Sequence, residues 1–150
     1  MDSGAQPPIA SEATGTRQRC EPIGSGQLSD LNRSIVYATN AGKYVMIGKT
    51  RAFAAPVGGQ TPGIFYTTSD DLIHWTDRQF LMATEDATTY MCGDPEFLLY
   101  PALLDSNSPD RNFDSTDGNL YLYLTKGRHE NCLPITWKRD MVRYPIQISP

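Results

Sequence analysis

The sequence predicts an all-β fold built from two successive blade-like units, and three observations carry that prediction. Short extended runs of β-branched and aromatic residues follow one another closely, with turn residues between them. Helical spacing of apolar residues is hardly visible anywhere in the 150 residues. Residues 63–68, Gly-Ile-Phe-Tyr-Thr-Thr, run straight into Ser69-Asp70-Asp71-Leu72-Ile73-His74-Trp75. That is a strand–turn–strand corner in which a turn carboxylate bonds its own backbone and the tryptophan plugs the sheet.

Taken in order, residues 1–30 are rich in Gly, Pro, Ser, Thr and Gln and show no apolar period. They read as a flexible N-terminal tail or lead-in loop. Residues 31–150 read as the folded part, in units of 31–85 and 93–150. The first unit predicts strands over 34–39 and 43–50, split by the hairpin signal Asn40-Ala41-Gly42. A flexible loop over 51–62 leads to a third strand over 63–69, and the acidic corner to a fourth over 78–83. Four antiparallel strands in about 50 residues is the size of one β-propeller blade. The second unit predicts strands over 97–104, 120–126 and 141–148, with a long polar loop over 105–118 and no fourth strand.

A weak internal repeat supports the two-unit reading. Gly42-Lys43-Tyr44-Val45-Met46-Ile47-Gly48-Lys49-Thr50-Arg51 and Gly118-Asn119-Leu120-Tyr121-Leu122-Tyr123-Leu124-Thr125-Lys126-Gly127-Arg128 share a plan. Each has a glycine turn, an aromatic-aliphatic strand, and a Lys and Arg exit. Two blades cannot close a ring, and their open edges call for remaining propeller blades or self-association.

The net charge of −4 argues against nucleic acid as a partner, because phosphate binding needs a clustered basic face. No run approaches the roughly 18 apolar residues that span a bilayer, and the longest, over 97–104, contains Pro101. No membrane association is expected, and the N-terminus has neither the basic start nor the apolar core of a signal peptide. Three cysteines, Cys20, Cys92 and Cys132, fit neither a disulfide framework nor a four-ligand zinc site. Cys92 precedes one predicted strand and Cys132 follows its antiparallel partner, so a bridge between them and three separate thiols both stay open. There is no GxSxG elbow, phosphate-binding glycine loop or His-rich metal spacing, so no cofactor or metal is expected.

The corner Ser69–Trp75 together with Tyr100-Pro101-Ala102-Leu103-Leu104-Asp105 resembles five-bladed β-propeller glycosidases of the arabinanase and β-xylosidase type. Those enzymes repeat a Ser-x-Asp-Leu-x-x-Trp corner and Gly-x-x-Tyr-Leu strands. Ser108-Pro109-Asp110-Arg111-Asn112-Phe113, Gly118 to Thr125, and Arg139 to Ile146 are similar to the last blade of such proteins. The resemblance covers roughly residues 30–150 and implies the C-terminal part of a five-bladed ring from a glycoside hydrolase-like, carbohydrate-active protein. It implies that this part supplies funnel wall and ring closure, and that the catalytic base, acid and orienting aspartate lie in other blades. Where a catalytic blade would open its strand with Asp-Pro, this chain has Tyr100-Pro101. The alternatives are a non-enzymatic β module binding carbohydrate or protein, and a truncated relic.

The blade geometry selects the candidate substrate contacts; no catalytic residue is assigned. Asn32 and Arg33 precede the first strand, and Asp94 and Glu96 precede the first strand of the second unit. Arg51, Arg128 and His129 are expected in loops on that same face, where they could hold sugar hydroxyls. Asp70, Asp71 and His74 read as turn residues, Trp75 as buried between sheets, and Phe113 as a buried anchor of the long loop.

Overall fold

The computed structural model describes Leu28, residues 33–54, Pro56, and residues 58–84, 96–130 and 133–150. The described residues form eight strands and no helix. They are β1 (Arg33–Ala38), β2 (Lys43–Ala54), β3 (Gly59–Ser69), β4 (Gln79–Ala83), β5 (Glu96–Leu104), β6 (Ser115–Thr116), β7 (Asn119–Glu130) and β8 (Leu133–Gln147). The all-β class stands. No described helix is long and apolar enough to cross a membrane.

One sheet has the order β4-β3-β2-β1-β6 and the other β5-β7-β8. Within the first, β1 to β4 run up and down as consecutive antiparallel neighbours. The hairpin at Asn40-Ala41-Gly42 forms as expected: Ala38 pairs with Lys43, Ala41 N–H donates to the Ala38 carbonyl at 3.2 Å, and Gly42 takes φ +64°.

Three expectations about the strands need correction. The stretch 51–62 is not a loop: β2 and β3 stay paired out to Ala54 opposite Gly59, with Arg51 opposite Pro62. Alternation decides this, since Ala52 and Ala54 are buried while Arg51 and Phe53 are exposed. Alanine, glycine and proline are weak strand formers, which is why the segment reads as a loop in isolation. Likewise Arg128 and His129 lie in a ladder, opposite Ile135 and Pro134, because β7 continues to Glu130. Finally, the first sheet has five strands. The long polar loop contributes β6, which runs parallel to β1 with Tyr37 opposite Ser115 and Ala38 opposite Thr116.

The core lies in two layers. Between the sheets, Val36, Ala38, Val45, Ile47 and Ile64 meet Leu103, Leu120, Leu122 and Leu124. On the far face of the first sheet, Leu28, Met46, Ala52, Ala54 and Phe65 form a second cluster. Because both faces of β2 are covered, residues 45–50 are buried without a break. Leu28, within the stretch read as tail, is fully buried there.

Trp75 is half-buried against this second cluster, not between the sheets as expected. Asp71 behaves as the sequence indicates: its Oδ1 accepts from the Ile73 and His74 N–H groups at 2.8 and 2.7 Å, and its Oδ2 meets His74 Nδ1 at 2.7 Å. Trp75 Nε1 donates to the Leu72 carbonyl at 3.2 Å. Leu72 stands at φ +65°, a backbone conformation that these bonds hold in place.

Phe113, expected to be buried, is 42% exposed. The long loop is held instead by buried Asp105, which accepts from Asn107 N–H and from Thr116 Oγ1, both at 2.8 Å. A carboxylate satisfied in this way fixes the loop through charge-assisted hydrogen bonds, and no apolar anchor is needed.

Candidate binding site at the strand ends

Polar and charged side chains gather where the middle of β2 meets the start of β5. Lys49, only 6% exposed, donates from Nζ to the Leu98 carbonyl at 3.2 Å and so ties the middle of β2 to the start of β5. Two residues from Leu98, Glu96 accepts from Lys126 Nζ at 2.7 Å, and Arg128 Nε stands 3.7 Å from its other oxygen. Arg128 Nη2 also lies 3.7 Å from Asp140 Oδ2 on β8. The register explains this chain of charges. Glu96 pairs with Arg128, and Lys126 with Asp140, so the four side chains are direct or diagonal neighbours across three strands.

The hydrogen bond from Lys126 is the main reason the Glu96 carboxyl lies below its ordinary range, with partial desolvation opposing it and the two cations adding to it. A carboxyl held ionised this way accepts hydrogen bonds and is the wrong kind of group for a general acid, which needs a raised proton affinity. Partly exposed Glu96, Arg128 and Asp140 therefore present alternating acceptors and donors to solvent. That arrangement suits a ligand rich in hydroxyls, each of which both gives and takes a hydrogen bond.

Of the residues anticipated from sequence, Glu96 and Arg128 come together here. Arg51 is exposed on β2, two positions beyond Lys49 and thus at the same end of the sheets. Arg33 is an exposed residue whose guanidinium donates to the Leu28 carbonyl, fastening Leu28 to the start of β1. His129 lies in β7 by its backbone, but its side chain falls outside what is described. Asn32, Asp94 and the cysteines Cys20, Cys92 and Cys132 lie outside the described residues.

Sequence reasoning missed Lys49, Lys126 and Asp140. The two lysines were visible as the shared exit of the internal repeat, but Asp140 reaches the site only through a register shift in the β7–β8 ladder between Gly127 and Arg128. Among the described residues no three His, Cys, Asp or Glu side chains stand close enough to hold a metal ion.

A separate cleft of about 480 Å³ opens at the opposite strand ends, between Val45, Ile47, Tyr66 and Leu81 on the first sheet and Ile146 and Ile148 near the C-terminus. Its walls are mainly apolar, and none of the anticipated residues lines it.

No protein-family model matches the chain, and neither a curated protein nor a solved structure matches it.

Proposed function

We propose that this chain forms two consecutive blades of a β-propeller from a glycoside hydrolase-like, carbohydrate-active protein, and that it supplies funnel wall and ring closure. The fold reading draws support from the up-and-down order β1-β2-β3-β4, its shortened repeat β5-β7-β8, and the face-to-face stacking of the two sheets. The strand β6 is an addition to a plain blade, and it binds the second unit to the inner edge of the first.

The observation that carries the functional reading is the run Glu96, Lys126, Arg128 and Asp140 at the strand ends, beside the Lys49 tie. In this reading those groups contact sugar hydroxyls, and the hydrolytic carboxylates belong to the remaining blades. The test is calorimetric titration of the chain with neutral arabino- and xylo-oligosaccharides. Binding that weakens at least about ten-fold in Arg128→Gln and Glu96→Gln is expected. Unchanged affinity in both variants, or no binding at all, refutes the reading.

A further inference from the structure

The far face of the second sheet has a composition unlike the rest of the chain. Opposed residues in an antiparallel ladder share a face. Tyr121 opposes Pro145, Tyr123 opposes Arg143, and Thr125 opposes Met141. Leu120, Leu122 and Leu124 point the other way, into the core, so the tyrosines, Arg143 and Met141 look outward. Met141 is 75% exposed.

Tyr100 joins them through a bulge. The β5–β7 register slips between Leu99 and Ala102, and Tyr100 takes φ +56° immediately before Pro101. A tyrosine in that region before a proline is strained. Its ring lies outward, 45% exposed, under the Arg139 guanidinium at 5.9 Å.

The arginines are arranged in advance of any ligand. The Arg143 guanidinium lies 4.4 Å from the centre of the Tyr121 ring, and Tyr121 meets Tyr123 edge-on at 6.3 Å. The Tyr123 hydroxyl accepts from Arg143 and raises its guanidinium above the ordinary value. Among the described residues neither Arg139 nor Arg143 pairs with a carboxylate, although acids outnumber bases by 17 to 13 in the chain. The two arginines stand four positions apart on β8, about 13 Å along the strand. A guanidinium stacked on a ring still directs N–H groups in its own plane toward a planar oxyanion, and Arg143 retains those that Tyr123 does not engage.

We infer that this face binds an acidic polysaccharide chain through its uronate groups, with Arg139 and Arg143 taking carboxylates and the rings of Tyr100 and Tyr121 bounding the sugar. The charge complementarity selects an anion, and two guanidiniums spaced about 13 Å along one strand suit a chain of repeated carboxylates over an isolated ion. The choice of a saccharide rests on the carbohydrate reading above.

The test titrates the intact chain with oligogalacturonate, a neutral oligosaccharide of the same length, and poly-L-glutamate of matched charge, with thermal unfolding as a check on folding. Oligogalacturonate should bind in preference to both. Its affinity should fall about ten-fold or more in Arg143→Gln and in Arg139→Gln, and be retained in Arg111→Gln, which removes an exposed charge away from both sites. Arg143→Lys, which keeps the charge but not the planar fork, should be weakened nearly as much.

Equal binding of poly-L-glutamate would overturn the inference in favour of an acidic protein partner. Neutral oligosaccharide binding with no preference for oligogalacturonate, or oligogalacturonate affinity unchanged in both Arg143→Gln and Arg139→Gln, would overturn it while leaving the carbohydrate reading intact. No saccharide binding at all would remove both.

Discussion

Gly127 sits between the two cations of the strand-end cluster, and replacing it with alanine probes how that cluster is placed. A β-carbon there would fall 2.5 Å from Phe97 Cε2 and closer still to Cζ, whereas real contacts essentially never come within 3.0 Å. The Phe97 ring, 3% exposed, would have to retreat by at least about half an ångström into its surroundings. Overpacking of this kind costs about 1–3 kcal/mol, and the lower chain entropy of alanine in the unfolded state returns roughly 0.5 kcal/mol. The net expectation is a loss of roughly 0.5–2.5 kcal/mol. Urea unfolding followed by circular dichroism measures it. Trimming the ring with Phe97→Leu makes the space, so the double variant should cost less than the sum of the single variants by about 1 kcal/mol. Strictly additive costs, or a Gly127→Ala protein as stable as the parent, would refute the clash as the reason for glycine.

Two further expectations concern the inter-sheet core and the carboxylates. Leu122, fully buried where the sheets meet, should cost about 2–5 kcal/mol on replacement by alanine, read as a lower denaturation midpoint at unchanged slope. Asp71 and Glu96 both titrate below their ordinary values of 3.8 and 4.5 in the folded chain, the first mainly through His74 and the second mainly through Lys126. The unfolded state therefore takes up protons first. Their contribution is fully present above about pH 5 and declines as pH falls toward the folded-state values. Both groups are well exposed, so solvent screening keeps the effect small. Unfolding midpoints followed from about pH 6 to about pH 2 should decline less steeply in Asp71→Asn than in the parent, and parallel curves would refute the assignment.

The strand positions were legible because β-branched and aromatic residues cluster where pairing is central, as in Val45-Met46-Ile47 and Leu120 to Leu124. The corner was legible for a different reason: the Asp71 carboxylate satisfies nearby amides by a purely local rule. What could not be read was long-range. The ends of β2 and β3 are built from Ala52, Ala54, Gly59 and Pro62, whose extended form comes from pairing and not from propensity. The two residues of β6 carry no strand signal. Their place beside β1 follows from Thr116, buried between the Asp105 carboxylate and the Thr39 side chain and backbone. Of the anticipated residues, Glu96 and Arg128 stand opposite each other on β5 and β7, while Asp140 joins them through a register shift that no local pattern announces.

The strand-end cluster inherits its geometry from the joint between the sheets. Glu96 and Arg128 belong to the second sheet, Arg51 to the first, and Lys49 bridges them at the Leu98 carbonyl. The same joint is pinned further along. The Leu103 N–H donates to Ser34 Oγ at 3.0 Å, and Asn40 Nδ2 donates to the Ile148 carbonyl at 2.7 Å. Gly118 sits below that last contact at φ +108°, where any side chain would meet Asn40 and the Ile148 carbonyl. These ties satisfy backbone groups of one sheet with side chains of the other, so sliding the sheets would cost each of those hydrogen bonds. A polar site shared between two sheets needs that constraint, because apolar packing alone is non-directional and would tolerate small shifts. Fixed donors and acceptors discriminate among hydroxyl patterns only when their spacing does not adapt to each ligand. On the carbohydrate reading proposed above, the hydrogen bonds across the sheets serve recognition as well as the fold.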